Sequence, residues 1–167
     1  MVASWDLSNL LDSLSDDLAR QLDPQHCVMV GIYTGGVWIA RELHRRLGIT
    51  APLGELDISF YRDDFSRVGL HPEVRASHLP FALDGRHLIL VDDVLYTGRT
   101  IRAALNELFD YGRPERVTLA VLVDRGLREL PICPDFVALK LRSHPDEYVK
   151  LRGPHPLRLE FLRQDLP

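Results

Sequence analysis

The sequence has little of what a disulfide-stabilised or zinc-binding protein needs. It holds two cysteines among 167 residues, Cys27 and Cys133, and neither belongs to a CxxC or Cys/His spacing. This pattern argues against a secreted disulfide scaffold and against a zinc site. A chain of this length buries enough surface to fold without disulfides, so we expect a single domain over residues 1–167. We expect both cysteines in its core, together with Phe109 on the apolar face of a helix.

Long apolar runs and an excess of positive charge are also lacking. No run approaches the roughly 20 apolar residues of a membrane-spanning helix. The first residues contain no basic segment followed by an apolar stretch, which a secretory signal would show. We therefore expect a cytoplasmic protein with no membrane partner. Acidic residues outnumber basic ones by 24 to 20, and the formal charge of −4 gives no broad positive field for nucleic acid.

Hydrophobic periodicity divides the chain into alternating strands and helices. Apolar residues recur at spacings of three and four in residues 6–22, 37–47 and 101–111, which predicts three helices. Apolar or alternating runs predict strands at residues 27–32, 53–60, 87–91, 116–123 and 136–141, with short strands within 148–162. Repeated strand–helix–strand units indicate an α/β fold with a mainly parallel central sheet flanked by helices. Ligands in such folds bind at the carboxyl ends of the strands.

The most informative stretch is residues 88–100, LILVDDVLYTGRT. Its apolar strand delivers Asp92 and Asp93 to the carboxyl end of the sheet. Two adjacent carboxylates there can accept hydrogen bonds from the vicinal hydroxyls of a sugar. Taken alone, an acidic pair can also simply end a strand, but its place after an apolar run and before a glycine-bearing turn is more specific.

The turn after the acidic pair suits a phosphate group. Backbone N–H groups at a helix start, the hydroxyls of Thr97 and Thr100, and the small Gly98 can surround a phosphate monoester. Thr97 can also serve as an ordinary helix cap. The motifs GxxxxGK[ST] and GxGxxG are absent, which argues against a nucleoside triphosphate loop and a dinucleotide fold. The segment therefore predicts a sugar 5-phosphate site.

This segment resembles the phosphoribosyl pyrophosphate (PRPP) motif of type I phosphoribosyltransferases, with its apolar run, acidic pair and TGxT turn. Further segments are similar to the bacterial pyrimidine operon regulators that are also uracil phosphoribosyltransferases. They are YRDDFS at 61–66, VDDVLYTGRTIRAAL at 91–105 and LAVLVDRGLRELPI at 119–132. The resemblance covers roughly residues 30–151 of the chain. It implies the type I phosphoribosyltransferase fold with a small hood and a flexible loop, and a homodimer or larger homo-oligomer.

The resemblance implies a site for PRPP and UMP. Asp92 and Asp93 would hold the ribose hydroxyls, residues 97–100 the 5-phosphate, and residues 34–36 the pyrophosphate. The residues so implied are Thr34, Gly35, Gly36, Asp92, Asp93, Val94, Leu95, Tyr96, Thr97, Gly98, Arg99 and Thr100. Mg²⁺ would arrive with PRPP, held mainly by substrate oxygens and water, so no dedicated metal cage in the protein is implied.

Catalysis and base recognition are implied for residues outside that motif. Arg62, in the long polar segment 61–80, would meet the negative charge that develops on the leaving pyrophosphate. A solvated charged loop is the alternative there. Arg125 and Val149 would contact uracil, with plain packing as the alternative for both. Tyr96 stands where purine enzymes of the family often carry an acidic residue, which favours a pyrimidine substrate.

Two departures from the regulators bear on function. The better-known Gram-positive proteins have a basic pyrophosphate loop of KTRG type, whereas this chain reads YTGG at 33–36, which predicts weaker pyrophosphate binding. The first helix is acidic rather than basic, which predicts weak binding of pyrimidine-operon leader RNA. The remaining candidates for an RNA-facing patch are Arg128, Lys140, Arg142, Lys150 and Arg152. Two alternatives stay open: an RNA-binding regulator that has lost most catalysis, and a phosphoribosyltransferase for another nucleobase.

Overall fold

The structure is a computed structural model that describes residues 5–59, 76–142 and 144–163. Three α-helices lie within these residues: α1 Leu7–Gln21, α2 Gly35–Leu47 and α3 Arg99–Tyr111. The strands are β1 Cys27–Ile32, β2 Gly54–Leu56, β3 His87–Leu95, β4 Arg116–Asp124, β5 Phe136–Lys140, β6 Glu147–Arg152 and β7 Arg158–Arg163. Most of the predicted elements are therefore present, in the predicted order.

The first five strands form one sheet in the order β2–β1–β3–β4–β5, and every neighbouring pair is parallel. From β1 the chain proceeds to one edge of the sheet, and from β3 it proceeds to the other. The connections after β1 and after β3 therefore diverge and leave a crevice at the carboxyl ends of these two strands, which is where ligands bind in open α/β sheets.

Helices cover both faces of this sheet. On one face, α1 and α2 bury Leu14 and Leu43 against Met29 of β1. On the other face, Leu108 of α3 packs in a second core with Val30 of β1. Alternate residues of β1 thus enter opposite cores, which explains why this strand is one continuous apolar run.

Strands β6 and β7 form a separate antiparallel pair. Alternate residues Val149, Leu151 and Phe161 pack against the core on the α1 and α2 side of the sheet. The chain between the two strands contains Gly153, at the predicted break.

Some element boundaries differ from the sequence-based predictions. Strand β3 continues to Leu95 rather than ending at residue 91, because its ladder with β4 continues as far as the pairing of Leu95 with Asp124. Strand β2 ends at Leu56, well before residue 60, because the Asp57 carboxylate accepts a hydrogen bond from the Ser59 N–H at 2.8 Å and turns the chain. Helices α2 and α3 each begin two residues earlier than predicted.

Two core assignments were wrong. Cys27 is buried as expected, but Cys133 is exposed. Phe109 is 45% exposed because Ile101 and Leu108 occupy the side of α3 that faces the sheet. Among the described residues, no helix has the length and apolar character needed to cross a membrane.

Candidate functional site

The turn after β1 packs directly on the end of β3. A Cβ atom on Gly36 would lie 2.7 Å from the carbonyl oxygen of Val91 and 3.1 Å from the Cα of Asp92. A Cβ atom on Gly35 would overlap the carboxylate of Asp93. Only glycine permits so close an approach of the two main chains, which explains why residue 36, the second G of YTGG, is a glycine.

Asp92 and Asp93 lie within β3 near its carboxyl end. Asp92 is 5% exposed, whereas Asp93 is half-buried. The Asp93 N–H donates to Oδ1 of Asp92 at 3.0 Å. Val94 and Leu95, the next two predicted ligand residues, pack into the two cores on opposite faces of the sheet. Their side chains therefore help to hold the strand in place.

The predicted phosphate loop links β3 to α3. Gly98 has a φ of 93°, in the left-handed region that favours glycine, and a Cβ atom there would lie 3.0 Å from Ile132. The Thr97 carbonyl accepts hydrogen bonds from the N–H groups of Glu129 and Leu130 at 3.0 and 3.1 Å. The main chain and side chains of residues 129–132 thus fix the shape of this loop.

Two helix starts face this edge of the sheet. The Thr97 hydroxyl oxygen accepts from the Arg99 N–H at 3.2 Å, whereas the N-cap position of α3 is taken by Gly98. Thr34 is exposed, and among the described residues its side chain makes no capping hydrogen bond to α2. The N–H groups of both first turns carry partial positive charge, which attracts anions.

An aromatic ring and an arginine close the side of the site toward β4. The guanidinium of Arg125 lies 4.1 Å from the ring centroid of Tyr96, within range of a cation–π interaction. Arg125 is 5% exposed and donates to the carbonyl of Glu147 at the start of β6. Val149 is half-buried in the packing of the hairpin. Arg125 therefore ties the hairpin to Tyr96 at the mouth of the site.

The oxygen donors of the acidic pair suit Mg²⁺ only as part of a larger ligand set. Mg²⁺ needs about six oxygen ligands, and a carboxylate pair supplies too few unless a substrate and water provide the rest. In the described parts of the chain, no group of three or more His, Cys, Asp and Glu side chains could hold a metal ion. The acidic pair therefore fits a magnesium ion that a polyanionic ligand carries.

The candidate RNA-facing residues occupy different environments. Lys140, Arg142 and Lys150 are exposed. Arg152 donates to Glu160 of β7 at 2.8 Å. Arg128 is engaged inside the turn after β4, where it donates to the carbonyls of Tyr96 and Ile132 at 2.9 Å and pairs with Asp124 at 2.8 Å.

Arg128 therefore holds the predicted phosphate loop in place and does not extend a basic surface. The sequence signal that could have placed Arg128 near the site is its position in VDRGLRELPI, shortly after the end of a strand. Arg62, the predicted catalytic residue, lies outside the described residues.

Known proteins that are similar to this chain show its family. A model of the phosphoribosyl transferase domain family matches residues 6–151. The chain belongs to this family. A "Bifunctional protein PyrR" from Pseudomonas aeruginosa strain LESB58 is 58% identical over 156 residues, covering 92% of each chain. Another protein of the same name, from Pseudomonas paraeruginosa strain PA7, is 66% identical over 156 residues, again covering 92% of each chain.

Solved structures show the same fold. A hypoxanthine phosphoribosyltransferase from Staphylococcus aureus has a TM-score of 0.68 at 21% identity, covering 89% of this chain and 80% of that chain. A purine phosphoribosyltransferase from Pyrococcus horikoshii has a TM-score of 0.61 at 23% identity, covering 81% and 84%. The predicted type I fold, the predicted transferase class and the resemblance to the PyrR regulators are confirmed.

Proposed function

We propose that this protein transfers the phosphoribosyl group of PRPP to uracil, forming UMP and diphosphate, and that pyrimidine nucleotides bind the same site as signals. The observation that carries the proposal is the packing of Gly35 and Gly36 against Asp93 and Asp92. It joins an anion-binding helix start, a carboxylate pair and a phosphate loop at one edge of the sheet.

Each part of PRPP has a matching group. The first turn of α3 and residues 97–100 would receive the 5-phosphate through N–H groups and hydroxyls. Asp92 and Asp93 would accept hydrogen bonds from the ribose hydroxyls. Hydrogen bonds to a charged carboxylate are stronger than those to a neutral acceptor. The first turn of α2, at residues 34–36, would receive the pyrophosphate.

The same groups favour bond cleavage. As the bond from ribose to pyrophosphate breaks, its electron pair leaves with the pyrophosphate and positive charge develops on the ribosyl ring. The nearby carboxylates of Asp92 and Asp93 stabilise that positive charge, and the helix start stabilises the leaving group. A uracil nitrogen then bonds to the ribose and releases its proton. We assign to Arg62 the stabilisation of the leaving pyrophosphate, as the resemblance implies.

Mg²⁺ would neutralise part of the pyrophosphate charge when it is bound with PRPP. Asp92 and Asp93 are the residues that would hold it at the edge of the site, directly or through water. Substrate oxygens and water would supply its other ligands, in agreement with the small number of protein donors.

Tyr96 and Arg125 support a pyrimidine as the accepting base. Tyr96 is 37% exposed at the mouth of the site, and its ring is fixed by the arginine that also contacts the hairpin. The Tyr96 side chain brings no carboxylate to the base. The guanidinium of Arg125 lies beside the Tyr96 ring and would be close to a base bound there. Val149, on the hairpin, is proposed as an apolar contact to uracil.

A regulatory activity through RNA is the second candidate. It is favoured by the name that the Pseudomonas relatives share, which describes them as bifunctional. The exposed cations Lys140, Arg142 and Lys150 are the groups available for phosphate contacts. The acidic side chains of α1 repel RNA from that helix, so we propose that leader RNA binds weakly.

A panel of bases tests the proposed reaction. Purified protein is incubated with Mg²⁺, PRPP and one of uracil, hypoxanthine, guanine or orotate, and the nucleotide products are separated by chromatography. We expect UMP from uracil and little product from the other bases. Formation of a purine nucleotide in preference to UMP would contradict the assignment of the base, and no product from any base would support a regulator without catalysis.

A further inference from the structure

Glu55 connects three segments that surround the turn at residues 34–36. The Tyr33 hydroxyl donates to Oε2 of Glu55, and Nη2 of Arg41 on α2 donates to Oε1 at 2.6 Å. The main chain of Glu55 exchanges two hydrogen bonds with His78, at 2.8 and 2.7 Å. One residue on β2 thus joins the residue before the turn and the helix after it through its side chain, and the chain that follows residues 60–75 through its main chain.

The environment of Glu55 keeps it ionised. Partial burial raises the pKa of Glu55, but the hydrogen bonds from Tyr33 and Arg41 outweigh this effect, with help from the charges of Arg41 and His78. The net pKa lies below the ordinary value for a glutamate. At neutral pH the side chain is therefore a carboxylate, and its hydrogen bonds are charge-assisted, which makes them shorter and stronger than neutral ones.

Tyr33 is held at both ends by β2. Its N–H donates to the carbonyl of Leu56 at 2.9 Å, and its hydroxyl contacts Glu55. Thr34 follows directly in the sequence and begins the turn. A residue anchored through main chain and side chain cannot rotate freely, so its position sets the direction in which the next N–H groups point.

The anchoring of Tyr33 matters because the YTGG turn must bind an anion mainly through its backbone. Residues 33–36 contain no basic side chain that could reach out to an anion. The turn can therefore bind an anion only through N–H groups and the Thr34 hydroxyl, whose directions depend on the backbone. A small displacement of this turn would misalign several hydrogen bonds at once.

We propose that Glu55 is a positioning residue for the pyrophosphate of PRPP, acting through Tyr33 on the turn at residues 34–36. This inference rests on the proposed function. Glu55 affects the binding only of ligands that carry a diphosphate. UMP, which has no diphosphate, binds the acidic pair and the phosphate loop without using this turn.

Two variants test the proposal by titration calorimetry with UMP and with Mg²⁺ and PRPP. Glu55→Gln removes the charge with little change in size, and Tyr33→Phe removes the hydroxyl while keeping the ring. Each variant is expected to weaken PRPP binding about tenfold, the loss expected for a charge-assisted hydrogen bond, with UMP affinity unchanged. The double variant should lose little more than either single variant, because both act on the contact between Tyr33 and Glu55.

The matched control is Glu42→Gln, which breaks ion pairs with Arg45 at 2.9 Å and Arg46 at 3.7 Å on α2 and should change neither affinity. Thermal melting checks that each variant is folded. If Glu55→Gln does not fold, Tyr33→Phe alone still tests the proposal. Equal losses of UMP and PRPP affinity, or no loss of either, would overturn the positioning role alone. Failure of the wild-type protein to bind PRPP would instead contradict the proposed function.

Discussion

At the scale of single residues, the proposed site depends on two carboxylates. Asp92→Asn and Asp93→Asn should each weaken UMP binding, because the ribose hydroxyls lose a charged acceptor worth about 1.5 to 3 kcal/mol per bond. Titration calorimetry measures the loss, and thermal melting checks that the buried Asp92 has been replaced without unfolding the protein. If both variants bind UMP as the wild-type protein does, the assignment of the acidic pair is wrong.

Gly35 offers a steric test of the same site. In Gly35→Ala, the new Cβ would overlap the Asp93 carboxylate, so the turn or the carboxylate must move and PRPP binding should weaken at least several-fold. Calorimetry with Mg²⁺ and PRPP measures this change.

Gly48→Ala is the matched control for that substitution. Gly48 ends α2 with a φ of 61°, and a Cβ atom there would lie more than 4 Å from every non-neighbouring residue that the structure describes. The alanine variant should lose about 1 kcal/mol of unfolding free energy and keep its PRPP affinity. Undiminished PRPP binding in Gly35→Ala would show that the turn does not need to lie so close to Asp93.

The strand, the acidic pair and the glycine-bearing turn of the candidate site could be predicted from sequence because they are contiguous. A strand, two carboxylates and a glycine-bearing turn lie within one short segment, so local chemistry suffices. The contacts of Glu55 could not be predicted in this way. Tyr33 and Arg41 reach it from 22 and 14 residues away, and only the pairing of β1 with β2 brings them together.

At the scale of elements, α3 carries a buried carboxylate beside the chain that follows residues 60–75. Glu107 is 9% exposed, and its Oε1 accepts from the Ser77 hydroxyl at 2.5 Å. Its Oε2 is buried and has no hydrogen-bond partner among the described residues. Burial raises the pKa of Glu107, the Ser77 hydrogen bond partly offsets this, and the charges of Asp57 and Asp110 raise it further.

This carboxylate predicts a pH-dependent stability. Below the ordinary pKa of a glutamate the side chain is protonated in both states, so its charge makes no difference. As pH rises to the higher folded-state pKa, the unfolded chain releases the proton first and the folded protein loses stability. Glu107→Gln should therefore become more stable relative to wild type as pH rises from about 4 to about 8. Urea unfolding measures this, and a pH-independent difference would contradict it.

The periodic pattern predicted the elements better than their ends. Strand β1 was predicted with its observed bounds, because a strand buried on both faces is apolar throughout. The end of β3 was predicted too early because two adjacent aspartates are typical of a turn. In the structure, hydrogen bonding to β4 keeps Asp92 and Asp93 in the strand. Phe109 was misassigned because α3 has a wider apolar surface than the sheet covers.

At the scale of the whole molecule, charge limits what RNA binding can occur. With a net charge of −4, RNA affinity must come from local cations. Reversal of Lys140 and Arg142 to Glu should abolish whatever binding of leader RNA exists, while UMP synthesis continues. Arg45→Glu, at an exposed ion pair on α2, is the surface control.

Filter binding at increasing salt concentration measures these RNA affinities. We expect weak binding by the wild-type protein and a steep fall as salt rises, because each phosphate contact releases counterions. Tight, specific binding that survives both charge reversals would show that RNA is recognised by another surface.

The most direct test of the central claim is the conversion of radiolabelled uracil into UMP. The wild-type protein with Mg²⁺ should form labelled UMP only when PRPP is present, and the double variant Asp92→Asn/Asp93→Asn should form at least tenfold less, since each lost bond costs about 1.5 to 3 kcal/mol. Absence of labelled UMP from folded wild-type protein, or equal formation by the folded double variant, would contradict the account.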